Sequence, residues 1–240
     1  MSWEPQGCVK ASPLELRPGA FLWRALLSND EQIDLLSQTM TRVARAPFFR
    51  PRMPRTGAPF SVEMSNFGAL GWVSDQTNGY RYEPRHPETG DVWPDIPPAL
   101  LRLWGELANY PVPPEACLVN FYRGSARMGL HQDRDEAALD APVLSISLGD
   151  DAIFCFGGPM RGETTSSITI ASGDVVLMGG PARLCRHGIN RIHVGSSSLI
   201  PDGGRINLTM RRVKLPEIGT AGQRTDRPPN APLSAGTGRG

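Results

Sequence analysis

Two histidines and one aspartate open a chemical reading of this chain. In His131-Gln132-Asp133, alternate residues of an extended segment project to one face and can bind a single ion together. The triplet alone is weak, because His-x-Asp arises often by chance and a lone histidine is more commonly a packed or solvated residue. His187 adds to it from a separate predicted strand, 184–189. Two imidazoles and one carboxylate on neighbouring strands of a barrel form a facial triad with open coordination positions, which suits non-haem Fe(II) oxygen chemistry. Zinc accepts three such ligands as well, so the triad leaves the metal open.

The segment Arg205-Ile206-Asn207-Leu208-Thr209-Met210-Arg211 separates the two metals. Its apolar residues stand at 206, 208 and 210 and its polar ones at 205, 207, 209 and 211, so the classes occupy opposite faces of one strand. An edge strand with its polar face in water would show the same pattern. Two arginines on one face near a metal can also grip a dicarboxylate through forked, charge-assisted hydrogen bonds. 2-Oxoglutarate is such a dicarboxylate. A zinc hydrolase has no evident use for the pair, so the arginines favour Fe(II).

Short β-rich runs must position these groups. They are predicted at 117–122, 143–148, 152–156, 167–171, 174–178, 184–189 and 205–213, divided by turn signals such as Gly157-Gly158 and Asp202-Gly203-Gly204. Strands of this length and spacing indicate a sandwich or barrel, not a parallel sheet with crossover helices. Upstream the chain reads as helix and loop. Ser28-Asn29-Asp30-Glu31 is a capping box ahead of an apolar stripe of Ile33, Leu36, Met40 and Val43, expected to be the packed side, and Pro47 should end that helix. A second helix is expected from Pro97 and Pro98, burying Leu100, Leu101, Trp104 and Leu107 and stopping before Pro111. Between the helices, 47–93 is rich in Pro, Gly, Asn and aromatics and is read as an irregular lid, with short strands at 60–67 and 79–82. The organisation is therefore an N-terminal extension and helix (1–46), the lid (47–93), a helix plus the β-core (94–213), and a tail (214–240) whose Pro, Gly, Ser and Thr predict disorder.

Composition sets the remaining bounds. With 240 residues, 40% of them hydrophobic, the chain can bury one sizeable core. No apolar run approaches the ~18 residues of a membrane span, and the N-terminus lacks a basic stretch followed by an apolar one, so a cytoplasmic monomer is expected. Cys8, Cys117, Cys155 and Cys185 contain no Cys-x-x-Cys pair, which argues against a disulfide framework or zinc ribbon. The net charge of +1 does not announce a nucleic-acid binder, but Arg42, Arg45, Arg50, Arg52 and Arg55 fall in a stretch without acidic residues, interleaved with Phe48 and Phe49. That is either a phosphate-binding patch or a solvated Pro-rich loop.

Several motifs in order and spacing resemble the bacterial AlkB family of nucleic-acid dealkylases: Asn120-Phe121-Tyr122, the run from His131 to Glu136, the run from Val143 to Gly149, Arg186-His187-Gly188-Ile189, and the run from Arg205 to Arg211. With Leu70-Gly71-Trp72 and Gly79-Tyr80-Arg81-Tyr82 upstream, the resemblance covers roughly 18–213. It implies a mainly β fold with N-terminal helices, a double-stranded β-helix (jelly-roll) carrying a nucleotide-recognition lid. It implies Fe(II) held by His131, Asp133 and His187, with 2-oxoglutarate and O₂ as co-substrates. Asn120, Tyr122 and Arg205 would bind the distal carboxylate of 2-oxoglutarate, with Asn207 and Arg211 along its other side and Arg211 nearer the metal. Trp72 would stack on an extruded base opposite His131, Tyr80 and Tyr82 would touch base or phosphate, and Asp135 and Arg161 would complete the base pocket. One departure is visible: the glycine that the family usually has three residues after the motif tyrosine is Ser125 here, with Gly124 before it. Cys185 shares strand parity with His187 and is read as filler in the barrel wall.

The expected reaction couples decarboxylation of 2-oxoglutarate, to succinate and CO₂, with hydroxylation of an N-methyl group that then leaves as formaldehyde. The expected partner is alkylated DNA, preferentially single-stranded, bearing lesions such as 1-methyladenine or 3-methylcytosine. These are cationic, which gives Asp135 a physical role. The rival readings are the same chemistry on RNA or a protein side chain, and a non-catalytic nucleic-acid-binding barrel stabilised by zinc. The last leaves Arg205 and Arg211 without a task.

Overall fold

The computed structural model describes residues 12–216. The segment from 217 on, most of the expected disordered tail, lies outside the described residues, as does Cys8. The first half contains β1 (Leu14–Arg17), β2 (Ala20–Trp23), α1 (Asn29–Val43), β3 (Glu63–Gly68), β4 (Gly71–Asp75), β5 (Gly79–Glu83) and α2 (Pro98–Leu107). The second half is β6 (Ala116–Tyr122), β7 (Met128–His131), β8 (Val143–Gly149), β9 (Ala152–Phe156), β10 (Ser166–Ile170), β11 (Val175–Met178), β12 (His187–Ile192) and β13 (Arg205–Arg211). Every pairing is antiparallel. A seven-stranded sheet of order β1-β2-β11-β8-β13-β6-β3 and a four-stranded sheet of order β10-β9-β12-β7 form the double-stranded β-helix, and β4 and β5 make a separate hairpin.

The period of two along the strands sorts side chains into two cores. On β6, Leu118, Asn120 and Tyr122 face the space between the sheets, whereas Cys117, Val119 and Phe121 face the helices. β13 divides in the same way: Ile206, Leu208 and Met210 join the helix-side core with Leu35, Leu100 and Trp104, while its polar residues line the inter-sheet cavity. All seven β13 residues are buried because β6 and β8 flank it on both sides, which excludes a solvated edge strand.

The capping box forms as expected, with Ser28 accepting from the Glu31 backbone and the Glu31 side chain reaching back. The packed face of α1 differs from the expected one. Gln32, Leu35, Thr39 and Val43 are buried, while Ile33 is 58% and Met40 42% exposed. The helix accommodates two polar residues on its buried side because each is satisfied there. Gln32 donates to the Leu27 carbonyl at 2.8 Å and accepts from the Ser172 hydroxyl at 2.6 Å, and Thr39 donates to the Leu35 carbonyl at 2.7 Å. On α2 the buried side is Leu100, Trp104 and Leu107, and Leu101 is exposed.

Two further readings are corrected by pairing. The N-terminal extension contributes β1 and β2 to the major sheet, where β2 pairs with β11. β3, inside the expected lid, pairs with β6 along its whole length, so this part of 47–93 belongs to the catalytic sheet. The predicted strand at 184–189 begins only at His187, since residues before it form a turn in which the Cys185 amide donates to the Ala182 carbonyl at 3.0 Å.

Candidate active site

The two histidines are cross-strand partners. His187, first residue of β12, pairs with His131, last residue of β7, and their ring centroids stand 4.5 Å apart. Close approach of the strands requires a glycine next to His187: a Cβ on Gly188 would lie 2.5 Å from the Met128 carbonyl oxygen. Asp133 follows β7 in the loop and turns back, placing Oδ1 3.6 Å from His131 Nε2 and Oδ2 3.7 Å from His187 Nε2. These separations exceed hydrogen-bonding range, yet one ligand atom from each residue falls within 4.8 Å of the others. The Nδ1 atoms of His131 and His187 face the Gly129 and Cys185 carbonyls at 3.0 and 3.1 Å. Protons on Nδ1 leave the Nε2 lone pairs for a metal, an arrangement in which the outer hydrogen bond fixes ring and tautomer.

Electrostatics keep His187 and Asp133 in their ligating forms. Burial, and next to it His131, bring His187 down from 6.5 to about 4, so its ring is neutral at ordinary pH. Burial alone would raise the Asp133 carboxyl, but Arg211 and the two histidines outweigh it and hold the group below the usual carboxylate range. Arg211 Nη2 meets Asp133 Oδ1 at 2.7 Å, whereas Asp133 Oδ2 is buried with no hydrogen-bond partner.

The neighbouring cavity, about 850 Å³, lies between the two sheets and contains other orphaned polar atoms. Asn120 Oδ1, Arg205 Nε and Nη1, and Arg211 Nε are all buried and unpartnered. Arg205 spends one nitrogen on the Ser147 hydroxyl at 2.9 Å and lies 5.6 Å from the Tyr122 ring centroid. Burial lowers its pKa to about 10 and pushes the Tyr122 phenol up to about 12, leaving a cationic guanidinium and a protonated hydroxyl in one wall. Buried unpaired donors of this kind are rare without a ligand, and a carboxylate satisfies them. Three N/O ligands beside such a wall fit a divalent iron and a dicarboxylate. Asn207 lines the same wall, but its amide is committed internally, to the Ser145 hydroxyl at 2.6 Å, the Ile146 carbonyl at 3.1 Å and the Thr209 hydroxyl at 2.8 Å.

Comparisons with known proteins agree with this chemistry. Residues 19–211 match the family model of the 2OG-Fe(II) oxygenase superfamily. An alpha-ketoglutarate-dependent dioxygenase AlkB homolog of Caulobacter vibrioides is 54% identical over 204 residues, which is 85% of this chain and 92% of that protein. The alpha-ketoglutarate-dependent dioxygenase AlkB of Escherichia coli is 39% identical over 201 residues, 82% of this chain and 91% of that one. The solved structure of OsALKBH1 superposes with a TM-score of 0.70 at 32% identity, covering 84% of this chain and all of that one. The chain belongs to the AlkB family of 2OG-Fe(II) dioxygenases. Its cofactor is therefore Fe(II), and 2-oxoglutarate its co-substrate.

In this AlkB-family chain the β4–β5 hairpin roofs the cavity mouth. The Trp72 indole donates from Nε1 to Asp135 Oδ2 at 2.9 Å and is stacked by Tyr80, with centroids 5.4 Å apart and planes 22° apart. One indole face is thus already covered, and half-exposed Tyr80 forms the outer layer. Asp135 and Arg161 are exposed and line the mouth. Tyr82 does not join them, contrary to the contact with base or phosphate expected for it. Its side chain turns inward, where the hydroxyl donates to Glu136 and accepts from Arg211 Nη1 at 3.1 Å. Cys185 is buried with its thiol toward the Pro181 carbonyl and stays out of the cavity, as filler. The basic stretch is narrower than its sequence suggests. Arg42 bonds the Asp95 and Gln38 carbonyls, Arg50 pairs with Glu63 at 3.3 Å, and Arg52 bonds the Gly57 carbonyl at 2.9 Å. Sequence reasoning gave no role to Glu136 or Arg183, which meet at 3.0 Å behind Asp133. Glu136 stands within the quoted motif, but nothing in the sequence marks Arg183 as its partner.

No described helix is long and apolar enough to cross a membrane.

Proposed function

We propose that this enzyme demethylates alkylated nucleobases of the 1-methyladenine and 3-methylcytosine type in DNA, for direct repair. The observation that carries the reading is the Trp72–Asp135 pair at the cavity mouth, an aromatic ring with a carboxylate fixed at its edge. An indole platform favours a flat ring. Asp135 Oδ1 has no hydrogen bond among the described residues, so it is available to the exocyclic amine and positive charge of the methylated base.

Iron with 2-oxoglutarate and O₂ supplies an oxidant that hydroxylates an N-linked methyl group, with release of succinate and CO₂. His131, Asp133 and His187 hold the metal, the histidines as neutral Nε2 donors and Asp133 through the oxygen that Arg211 leaves unbonded. Arg205 holds the distal carboxylate of 2-oxoglutarate through its free Nε and Nη1, aided by Asn120 and the Tyr122 hydroxyl. Arg211 Nε serves the end nearer the metal. Asn207 acts indirectly, by holding the strand wall through Ser145 and Thr209. The hydroxymethyl product then loses formaldehyde and leaves the free base nitrogen.

A base in a duplex must be flipped out to enter, at a cost of about a few kcal/mol that falls for lesions already unable to pair. That favours single-stranded or locally melted DNA, with exposed Arg45 and Arg55 available to phosphates and Arg161 at the base pocket. The test is a panel of methylated single- and double-stranded DNA and RNA oligonucleotides, followed by formaldehyde release and by base mass. The expected result is formaldehyde matched to loss of the methyl group on 3-methylcytosine DNA. Faster turnover of the RNA would move the reading to RNA, and succinate without any base change would overturn it.

A further inference from the structure

We propose that Glu136 is a positioning residue, tying the seating of the β4–β5 hairpin to the loading of metal and 2-oxoglutarate by way of Tyr82, Arg211 and Asp133. The inference rests on the cofactor roles given above to Asp133 and Arg211.

The Glu136 side chain is fully buried and lies outside the cavity, so it reaches neither substrate nor cofactor directly. Its two oxygens serve different partners. Oε2 takes Arg183 Nη2 at 3.0 Å, and Arg183 also donates to the Asp133 carbonyl and, at 2.7 Å, to the Ala141 carbonyl. The loop that carries the metal-binding aspartate is thereby fastened at both ends to one guanidinium. Oε1 takes Arg211 Nη1 at 3.3 Å and the Tyr82 hydroxyl, and Arg211 Nη1 reaches that same hydroxyl at 3.1 Å. The other arm of Arg211 holds Asp133 Oδ1 at 2.7 Å.

One guanidinium is therefore shared between the carboxylate proposed to bind metal and one that does not. The direction of its free Nε, and the oxygen of Asp133 left for the metal, depend on Glu136 holding the opposite arm. Two buried carboxylates face two buried arginines here, so the charges balance only while all four stay in place. Tyr82 is the hairpin side chain that enters this network, from the strand paired with the one bearing Trp72. A hairpin that seats only with Tyr82 engaged must bind cofactor more tightly when seated, and cofactor must in turn hold the hairpin down, because such coupling is reciprocal.

Tyr82→Phe removes only the hydroxyl and Glu136→Gln keeps the shape while removing the charge. The readouts are the affinity for 2-oxoglutarate in the presence of Mn(II), measured by calorimetry without turnover, and amide exchange across residues 71–83 before and after both are added. In the parent, Mn(II) with 2-oxoglutarate should slow exchange in the hairpin. Tyr82→Phe should bind 2-oxoglutarate about five- to fiftyfold more weakly and lose that protection. Glu136→Gln should do the same or more, and the double variant should bind no more weakly than Glu136→Gln alone, since both act through one link. A purely structural role would lower thermal stability and leave the cofactor-dependent protection as in the parent. Parent-like affinity or parent-like protection in Tyr82→Phe overturns the proposal, and this variant decides even if Glu136→Gln fails to fold. If the parent itself bound neither Mn(II) nor 2-oxoglutarate, the cofactor roles would fall first and this inference with them.

Discussion

Arg205→Met should make the cofactor-free protein more stable while removing its grip on 2-oxoglutarate. Arg205 is 1% exposed, carries two unpartnered nitrogens, and its one side-chain hydrogen bond is to Ser147. Burial brings its pKa from 12.5 to about 10, and at ~1.4 kcal/mol per pH unit the cost of keeping that charge buried is about 3 kcal/mol. Methionine fills similar volume without the charge, at the loss of the Ser147 bond, about 1 to 2 kcal/mol. The net gain of about 1 to 2 kcal/mol should raise Tm by about 2 to 8 °C. Two charge-assisted bonds lost to the ligand, ~1.5 to 3 kcal/mol each, should weaken 2-oxoglutarate by about 10² to 10⁴. Arg211→Met should behave oppositely, because it strands Asp133 as a buried carboxylate without its arginine, while Glu136 keeps Arg183, and costs about 3 to 5 kcal/mol. Thermal unfolding of the metal-free variants, with calorimetric titration of 2-oxoglutarate in Mn(II), measures both. Arg205→Met as destabilised as Arg211→Met, or an affinity within about threefold of the parent, would refute the assignment of Arg205 as a ligand-waiting cation.

Three further outcomes follow from particular contacts. The metal-free fold should lose about 3 kcal/mol through His187 as pH falls from 6.5 to about 4, because the unfolded imidazole is protonated first; urea unfolding should show this part of the loss missing in His187→Gln. Leu35→Ala should cost about 2 to 5 kcal/mol whereas Ile33→Ser and Met40→Ser stay within about 0.5 kcal/mol, and equal costs at 33 and 35 would put the packed face of α1 where the apolar stripe had it. Trp72→Phe keeps a ring but frees Asp135, so formaldehyde from methylated DNA should fall about tenfold while 2-oxoglutarate decarboxylation without substrate persists; a parallel fall in both would make Trp72 structural.

Strand parity is what the sequence carried most clearly. Along β13 the alternation of polar and apolar residues assigned Arg205 and Arg211 to one face, and the structure buries both faces without changing that parity. The triad was legible for a related reason, since two of its members are two residues apart and the third adjoins a glycine that lets the strands approach. Helix faces were less legible. An apolar count along α1 passes over Gln32 and Thr39, which are buried because Leu27, Leu35 and Ser172 satisfy them, and no local pattern reveals those partners. Pairing across long separations was hidden for the same reason. β2 finds β11, and Arg183 finds Glu136, through contacts between distant parts of the chain. Tyr82 shares strand parity with Tyr80, which does lie at the mouth, but its hydroxyl reaches inward to Glu136 and Arg211, distant partners that parity does not reveal.

The most direct measurement of the central claim is an anaerobic titration followed by visible absorption. His131, Asp133 and His187 form one set and Arg205, Asn120 and Tyr122 another, so a new band should appear only when Fe(II) and 2-oxoglutarate are both present. His187→Ala should abolish it, and Arg205→Met should shift its half-saturation to far higher 2-oxoglutarate. A band that forms without 2-oxoglutarate, or that saturates unchanged in both variants, would contradict the assignment of these residues to metal and co-substrate.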